Sequence, residues 1–304
     1  MDKKVFAEIS DRLERGEPAE LVVSAGGVEY IRRFEKNDRL ILLGCGHVSL
    51  DVYRLARFLD FDVVAVDDRP MFANSGRFPE AEVICDVFAS AIARLDICDK
   101  DYVCVLTRGH RWDRECVEAI LSGTMPKYLG MISSSRRAEG MKELLLENGF
   151  DRERVDAVHA PIGLDIGAMT TAEIALSICA EMIAFKRREQ LKPRPGELAQ
   201  TDFCLDTLRY LANSTEPRAM LIVLDTDGST PVKSGSMMAV NSLGEGRGTI
   251  GGGCGEAAAM NAARGVIGTG GRRIMTFDMS GEVAADNDMV CGGEMTVCIV
   301  DIEN

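Results

Sequence analysis

Arg39-Leu40-Ile41-Leu42-Leu43-Gly44-Cys45-Gly46-His47-Val48-Ser49 is an aliphatic run that breaks into G-x-G-x-x-S. The aliphatic half reads as a buried strand. Downstream, Val48, Val52, Leu55, Ala56 and Leu59 share one helical face, and a second apolar run over 61–66 ends at Asp67. Strand, glycine turn, helix, strand and acid, with Asp67 23 residues after Gly44, make a βαβ unit able to seat a dinucleotide pyrophosphate on a helix N-terminus. Gly44 and Gly46 would admit the phosphates beside His47. Asp67 would accept from a ribose 2′-OH and repel a 2′-phosphate. Ser49 replaces the third glycine, so closer helix–strand packing is lost. The fold can also outlive nucleotide binding, because fold does not fix function.

The alternation of strand and helix continues. Short strands are expected at 82–85 and 102–107, the second running into Arg108-Gly109-His110-Arg111-Trp112-Asp113 at the carboxyl edge of a parallel sheet. Arg108 and His110 there suit an anion; a solvated loop over Trp112 fits equally well. A strand over 128–132 meets Ser133-Ser134-Ser135, which reads as a helix N-cap. Thr170 and Glu173 form a capping box that starts a long helix to about 188. Toward the N-terminus, Val5, Ile9 and Leu13 share a helical face that Gly16-Glu17-Pro18 stops, and a short strand follows at 21–23.

The expected fold class is therefore α/β. A Rossmann-like, doubly wound parallel-sheet domain occupies 1–188, with a helical lead-in over 1–35. A charged, proline-punctuated linker covers 189–200, and a smaller α/β domain covers 201–304. Leu205, Leu208 and Leu211, then Glu216-Pro217 and a strand at 220–224, echo the start of the chain; coincidence explains this as well as duplication does.

Two glycine–cysteine turns mark the second domain. Gly248-Thr249-Ile250-Gly251-Gly252-Gly253-Cys254-Gly255-Glu256 leads into an alanine-rich helix, and Met289-Val290-Cys291-Gly292-Gly293 leads into the last strand. Consecutive glycines permit φ > 0 and close approach of another group. A helix N-terminus behind them offers unpaired N–H groups to an anion and a field that favours thiolate at Cys254. A tight turn around a small buried cysteine is the alternative. Together, the turns suggest two thiols or two glycine loops lining one pocket.

Composition narrows the classes. With 46% hydrophobic and 27% charged residues the chain is an ordinary globular one, and its net charge of −13 argues against nucleic acid and anionic membranes. Met1-Asp2-Lys3-Lys4 precedes no long apolar core, and ten cysteines without a signal peptide suit a reducing cytoplasm. No C-x-x-C pair occurs, and the three histidines are scattered, so a zinc ribbon or a histidine-rich metal site finds no support.

The assembled motifs resemble the xanthine dehydrogenase accessory protein family (XdhC/CoxI family) over nearly everything after residue 38. The resemblance is carried by residues 43–48, Val66-Asp67-Asp68-Arg69-Pro70, Phe72-Ala73-Asn74, residues 106–110 and 161–168, and by the two glycine–cysteine turns. It implies a cytoplasmic chaperone, commonly a homodimer, that carries molybdenum cofactor and assists its sulfuration or insertion into a molybdenum hydroxylase such as xanthine dehydrogenase. A cysteine desulfurase is an implied second partner. Under it, Gly251, Gly252, Gly253, Cys254, Glu256, Cys291, Gly292 and Gly293 form the cofactor set, with Cys254 and Cys291 as transient molybdenum ligands and Cys254 as candidate sulfur relay. Gly44, Gly46, His47, Asp67, Arg108 and His110 form a nucleotide or pterin set. Two departures are visible: the family's usual domain order is reversed, and Ser229-Thr230-Pro231 is followed by Val232-Lys233 rather than arginine.

Two rival readings stand beside this one. An NAD(P)-dependent oxidoreductase would use Gly44, Gly46 and Asp67 with His110 as acid–base, but no substrate-side catalytic set accompanies them. A redox or nucleotide sensor would use the cysteines as its switch.

Overall fold

The structure, a computed structural model, describes residues 1–35, 37–190, 196–199, 205–278 and 293–303. The chain opens with α1 (Lys4–Glu14) and a hairpin of β1 (Ala19–Ala25) and β2 (Val28–Phe34). Gly26 and Gly27 both have φ > 0, as a two-residue type I′ turn requires.

Next come β3 (Arg39–Leu43), α2 (His47–Phe58), β4 (Asp62–Asp67), β5 (Glu82–Cys85), α3 (Phe88–Arg94), β6 (Tyr102–Val105) and α4 (His110–Leu121). They are followed by β7 (Tyr128–Met131), α5 (Ser135–Glu147), α6 (Arg152–Asp156), β8 (Val158–His159) and α7 (Thr171–Gln190). The last third holds α8 (Leu205–Asn213), β9 (Arg218–Gly228), β10 (Met237–Asn241), β11 (Gly246–Gly248), α9 (Gly253–Arg264), β12 (Arg272–Asp278) and β13 (Gly293–Ile302).

Residues 37–189 form one compact unit. Its sheet is parallel, in the order β5-β4-β3-β6-β7-β8. Leu40 to Leu43 and Val103 to Val105 are fully buried, because strands covered by helices on both faces bury both sets of alternating side chains. Each such leucine contributes about 2 kcal/mol by leaving water. The direction of winding reverses between β3 and β6, so the loops after these strands face one crevice. At α7, the Thr170 hydroxyl accepts from Glu173 N at 3.2 Å and the Glu173 carboxylate accepts from Thr170 N at 2.8 Å, the reciprocal capping box expected from the sequence.

The other unit combines residues 1–36 with 190–304. This corrects the expected boundaries: the lead-in does not belong to the Rossmann-like domain. Phe6 and Ile9 of α1, Leu21 and Val23 of β1 and Phe34 of β2 share one apolar core with Leu208, Leu211 and Met220. An amphipathic helix needs an apolar partner, and α8 supplies it. Phe6 lies at the centre of the buried face, whereas Val5, assigned there from spacing, is exposed. Part of the expected linker is also built in: Ile31 N donates to Gly196 O at 2.8 Å and Leu198 N to Ile31 O at 2.9 Å. The sheet of this unit is antiparallel, in the order β11-β10-β9-β13-β12, with α9 and α8 packed against its strands.

Among the described residues, no helix is long and apolar enough to cross a membrane.

Candidate functional site

In the 37–189 unit the turn after β3 is tied on both sides. Gly44 has φ +105°, and a Cβ there would lie 2.3 Å from the Leu106 carbonyl oxygen, so only glycine lets the loops after β3 and β6 approach this closely. Gly46 caps α2, and His47 opens that helix on the surface. Ser49 is fully buried.

Asp67 ends β4 with its carboxylate buried. Its Oδ2 accepts from Cys45 N at 2.8 Å and from Arg69 Nη2 at 2.9 Å. Its Oδ1 accepts from Arg69 Nε at 2.8 Å and from Arg69 N at 3.1 Å. Arg77 donates to the carbonyls of Cys45, at 2.8 Å, and Gly46, at 3.3 Å. The ribose role assigned to Asp67 from spacing is thus filled by the protein's own donors. An acid this deep under Arg69 serves as a strut for the turn. Cys45 is enclosed with it: burial, and then the charge of Asp67, push its thiol up to about 12.

The expected pair Arg108 and His110 is divided. Arg108 forms a fork on Asp68, with Nη2 at 2.8 Å from Oδ2 and Nη1 on Oδ1, and its hydrogen bond holds the Asp68 carboxyl below the usual range. Trp112 lies 4.9 Å beneath the Arg108 guanidinium and 6.1 Å from Phe88. His110 turns elsewhere and meets Arg137 of α5. Arg69, Arg77 and Arg137 carry no role in the reading of the sequence. Arg69 lies inside one of the family-like motifs, but nothing in spacing says which carboxylate an arginine will find.

In the second unit, Gly248, Gly251, Gly252 and Gly253 all have φ between +67° and +116°. Side-chain residues rarely adopt this region, so the glycine run encodes the loop shape directly. The Glu256 carboxylate folds back into the loop: its Oε2 accepts from Thr249 Oγ1 at 2.6 Å, Ile250 N at 2.8 Å and Gly252 N at 3.0 Å. Burial opposes its charge, but these three donors prevail and hold the carboxyl below its ordinary range. Gly251 N donates to Thr249 Oγ1 at 3.0 Å.

Two of the three amides expected to grip an anion, at Gly251 and Gly252, are therefore engaged internally. Gly253, Cys254 and Gly255, in the first turn of α9, have N–H groups with no hydrogen bond among the described residues. Cys254 is exposed there, which removes the buried-cysteine alternative.

The structure brings the start of β13 to this loop. A Cβ on Gly293 would lie 2.5 Å from Asp227 O and 2.6 Å from Ser229 O, and one on Gly251 would lie 2.6 Å from Pro231 Cγ. The segment after β9 thus touches Gly251 on one side and Gly293 on the other. Cys291 and Gly292 lie outside the described residues. No group of three or more His, Cys, Asp or Glu suited to a metal ion occurs among the described residues.

Residues 40–182 match the model of the XdhC Rossmann domain, and residues 211–278 match that of the XdhC and CoxI family. The chain belongs to the XdhC/CoxI family. Within it, the crevice loops after β3 and β6 fall in the Rossmann match, and the loop over 248–256 falls in the second. The chain is similar to the uncharacterized protein YqeB of Escherichia coli, at 32% identity over 49% of this chain and 27% of that protein. It is similar to a probable xanthine dehydrogenase component of Bacillus subtilis, at 29% identity over 52% of this chain and 46% of that protein. These matches span less than half the length of either relative. A crystal structure of a xanthine dehydrogenase from Bacillus halodurans aligns with a TM-score of 0.49 at 27% identity, over 55% of this chain and 48% of that one.

Proposed function

We propose that this XdhC/CoxI-family chain is a carrier that holds molybdenum cofactor as cargo and hands it to a molybdenum hydroxylase of the xanthine dehydrogenase type. The observation that carries the reading is Cys254: an exposed thiol in the first turn of α9, beside unpaired amides and behind three left-handed glycines. The phosphate of such a cargo suits the N–H groups of Gly253, Cys254 and Gly255, and its soft metal–sulfur centre suits a thiolate. The name of the Bacillus subtilis relative supports the hydroxylase as partner. A homodimer and a cysteine desulfurase as sulfur donor complete the reading.

Glu256 refines it. With the carboxylate holding Ile250 N and Gly252 N, the loop keeps its shape without cargo, and only the α9 amides are offered. A carrier must release what it holds, and a site with one thiol and few free amides favours release. The oxidoreductase reading weakens because Asp67 is occupied by Cys45 and Arg69.

The test is coexpression with cofactor biosynthesis, purification, denaturation, and assay of released pterin by fluorescence and of molybdenum by mass spectrometry. The parent protein is expected to retain both, and Cys254→Ala to lose most of both while keeping its melting temperature. Equal retention by Cys254→Ala would remove Cys254 as the holding group.

A further inference from the structure

The cavity between α4 and α5 of the 37–189 unit holds chemistry that the proposed function does not use. It is an open groove of about 500 Å³, and its lining includes His110, Arg111, Arg114 and Arg137 with Met141 and Leu144. None of Gly44, Gly46, His47, Asp67 or Arg108 borders it.

Three guanidinium groups and an imidazole gather here in a chain of net charge −13. Their compensation is thin. Arg114 has Glu118 at 3.6 Å, and Arg137 has Asp113 at 3.6 Å, both longer than a charge-assisted hydrogen bond. Asp113 also accepts from Thr107 Oγ1 at 2.5 Å, and its burial favours the neutral acid. Arg111 has no carboxylate partner among the described residues and lies 5.3 Å over the Trp112 ring.

Arg137 also contacts His110 Nδ1. The helices add to the imbalance. Arg111 stands in the first turn of α4, where Asp113 partly offsets it, and Arg136 and Arg137 stand in the first turn of α5, where no acidic residue does, so guanidinium groups sit at the positive ends of two helix dipoles. Such a placement is unfavourable unless an anion relieves it.

We propose that this cavity binds a phosphate-bearing small molecule, its phosphoryl group held by the forks of Arg111, Arg114 and Arg137 and its organic part lying against Met141 and Leu144. The volume lies within the range of roughly 300–1,000 Å³ typical of small-molecule sites. Guanidinium forks match phosphate oxygens in a bidentate way that lysines do not. The site is independent of Cys254, which belongs to the other unit, so cargo binding and this binding succeed or fail separately.

Calorimetric titration of the full chain at low salt, with inorganic phosphate, adenosine 5′-monophosphate and adenosine as probes, tests the proposal. The monophosphate is expected to bind at least about tenfold more tightly than either other probe, and more weakly as salt rises. Arg111 and Arg114 are exposed, so the double variant Arg111→Ala/Arg114→Ala should melt with the parent yet lose about tenfold or more in affinity. Arg54→Ala, in the same unit and paired with Asp51, should bind as the parent does. Three results would overturn the proposal: no binding of phosphate or monophosphate up to about 10 mM, unchanged affinity in the double variant, or equal affinity for phosphate and monophosphate, which would leave a bare-anion patch.

Discussion

Over residues 44–46 and again over 251–253 the chain passes through glycines into a helix, and each time a carboxylate further along the chain accepts amides of the loop. Asp67 takes Cys45 N; Glu256 takes Ile250 N and Gly252 N. Asp67 is fully buried and clamped by Arg69, the turn's carbonyls are held by Arg77, and the neighbouring thiol of Cys45 is sealed inside. Glu256 is half-buried, has no ion-pair partner among the described residues, and stands in the same helical turn as the exposed Cys254. The first loop is locked by charge pairing. The second is held by hydrogen bonds alone, the easier arrangement to disturb when something must bind and leave.

Thiol chemistry should separate the loops most widely. With an alkylating reagent at pH 7 and peptide mapping, Cys254 is expected to react at least about a thousandfold faster than Cys45. Cys45 is shielded by burial, and its thiol is pushed up to about 12. Comparable rates would mean that the first loop opens readily and that the contrast is false.

Glycine replacement comes next. Gly44→Ala combines a left-handed φ with a Cβ 2.3 Å from a backbone oxygen, and should cost about 4 kcal/mol in urea unfolding. Gly252→Ala, at φ +69° with no atom within 4 Å of the added carbon, should cost about 1–2 kcal/mol. If the two cost the same, the first loop is not the tighter one.

The carboxylates give the finest distinction. Asp67→Asn should cost about 2–4 kcal/mol, because it strips Arg69 of a buried partner. Glu256→Gln should cost about 1 kcal/mol at pH 7. The Glu256 carboxyl is held below its ordinary value, so its contribution is complete above the unfolded value of about 4.3 and is lost as pH falls through the lower folded value. The melting-temperature gap between parent and Glu256→Gln should therefore be constant from pH 7 to about 5 and close at more acid pH. A gap that does not begin to narrow as pH falls below the unfolded value would show that Glu256 does not act through its charge.

Much of this is written locally. The aliphatic run before Gly44, the capping box at Thr170 and Glu173, and the glycine triplet before Cys254 each act within a few residues, so strand, helix start and loop shape follow from order alone. The hairpin at 19–34 is only half legible: its first strand shows in the aliphatic run, while Gly26-Gly27 takes its meaning as a turn from the pairing of both strands. The placement of α1 is hidden altogether, since periodicity shows that a helix has an apolar face, never which distant segment will cover it.

The sequence by itself determined the α/β class, the Rossmann-like sheet, the glycine loops and the family. Only the tertiary structure decided that Asp67 is a buried strut, that Arg108 and His110 part company, that Glu256 occupies amides assigned to a ligand, and that three arginines converge between α4 and α5. Spacing along a chain fixes backbone shape through local sterics, whereas the partner of a charged side chain is chosen by which groups the folded core brings within reach of it in three dimensions.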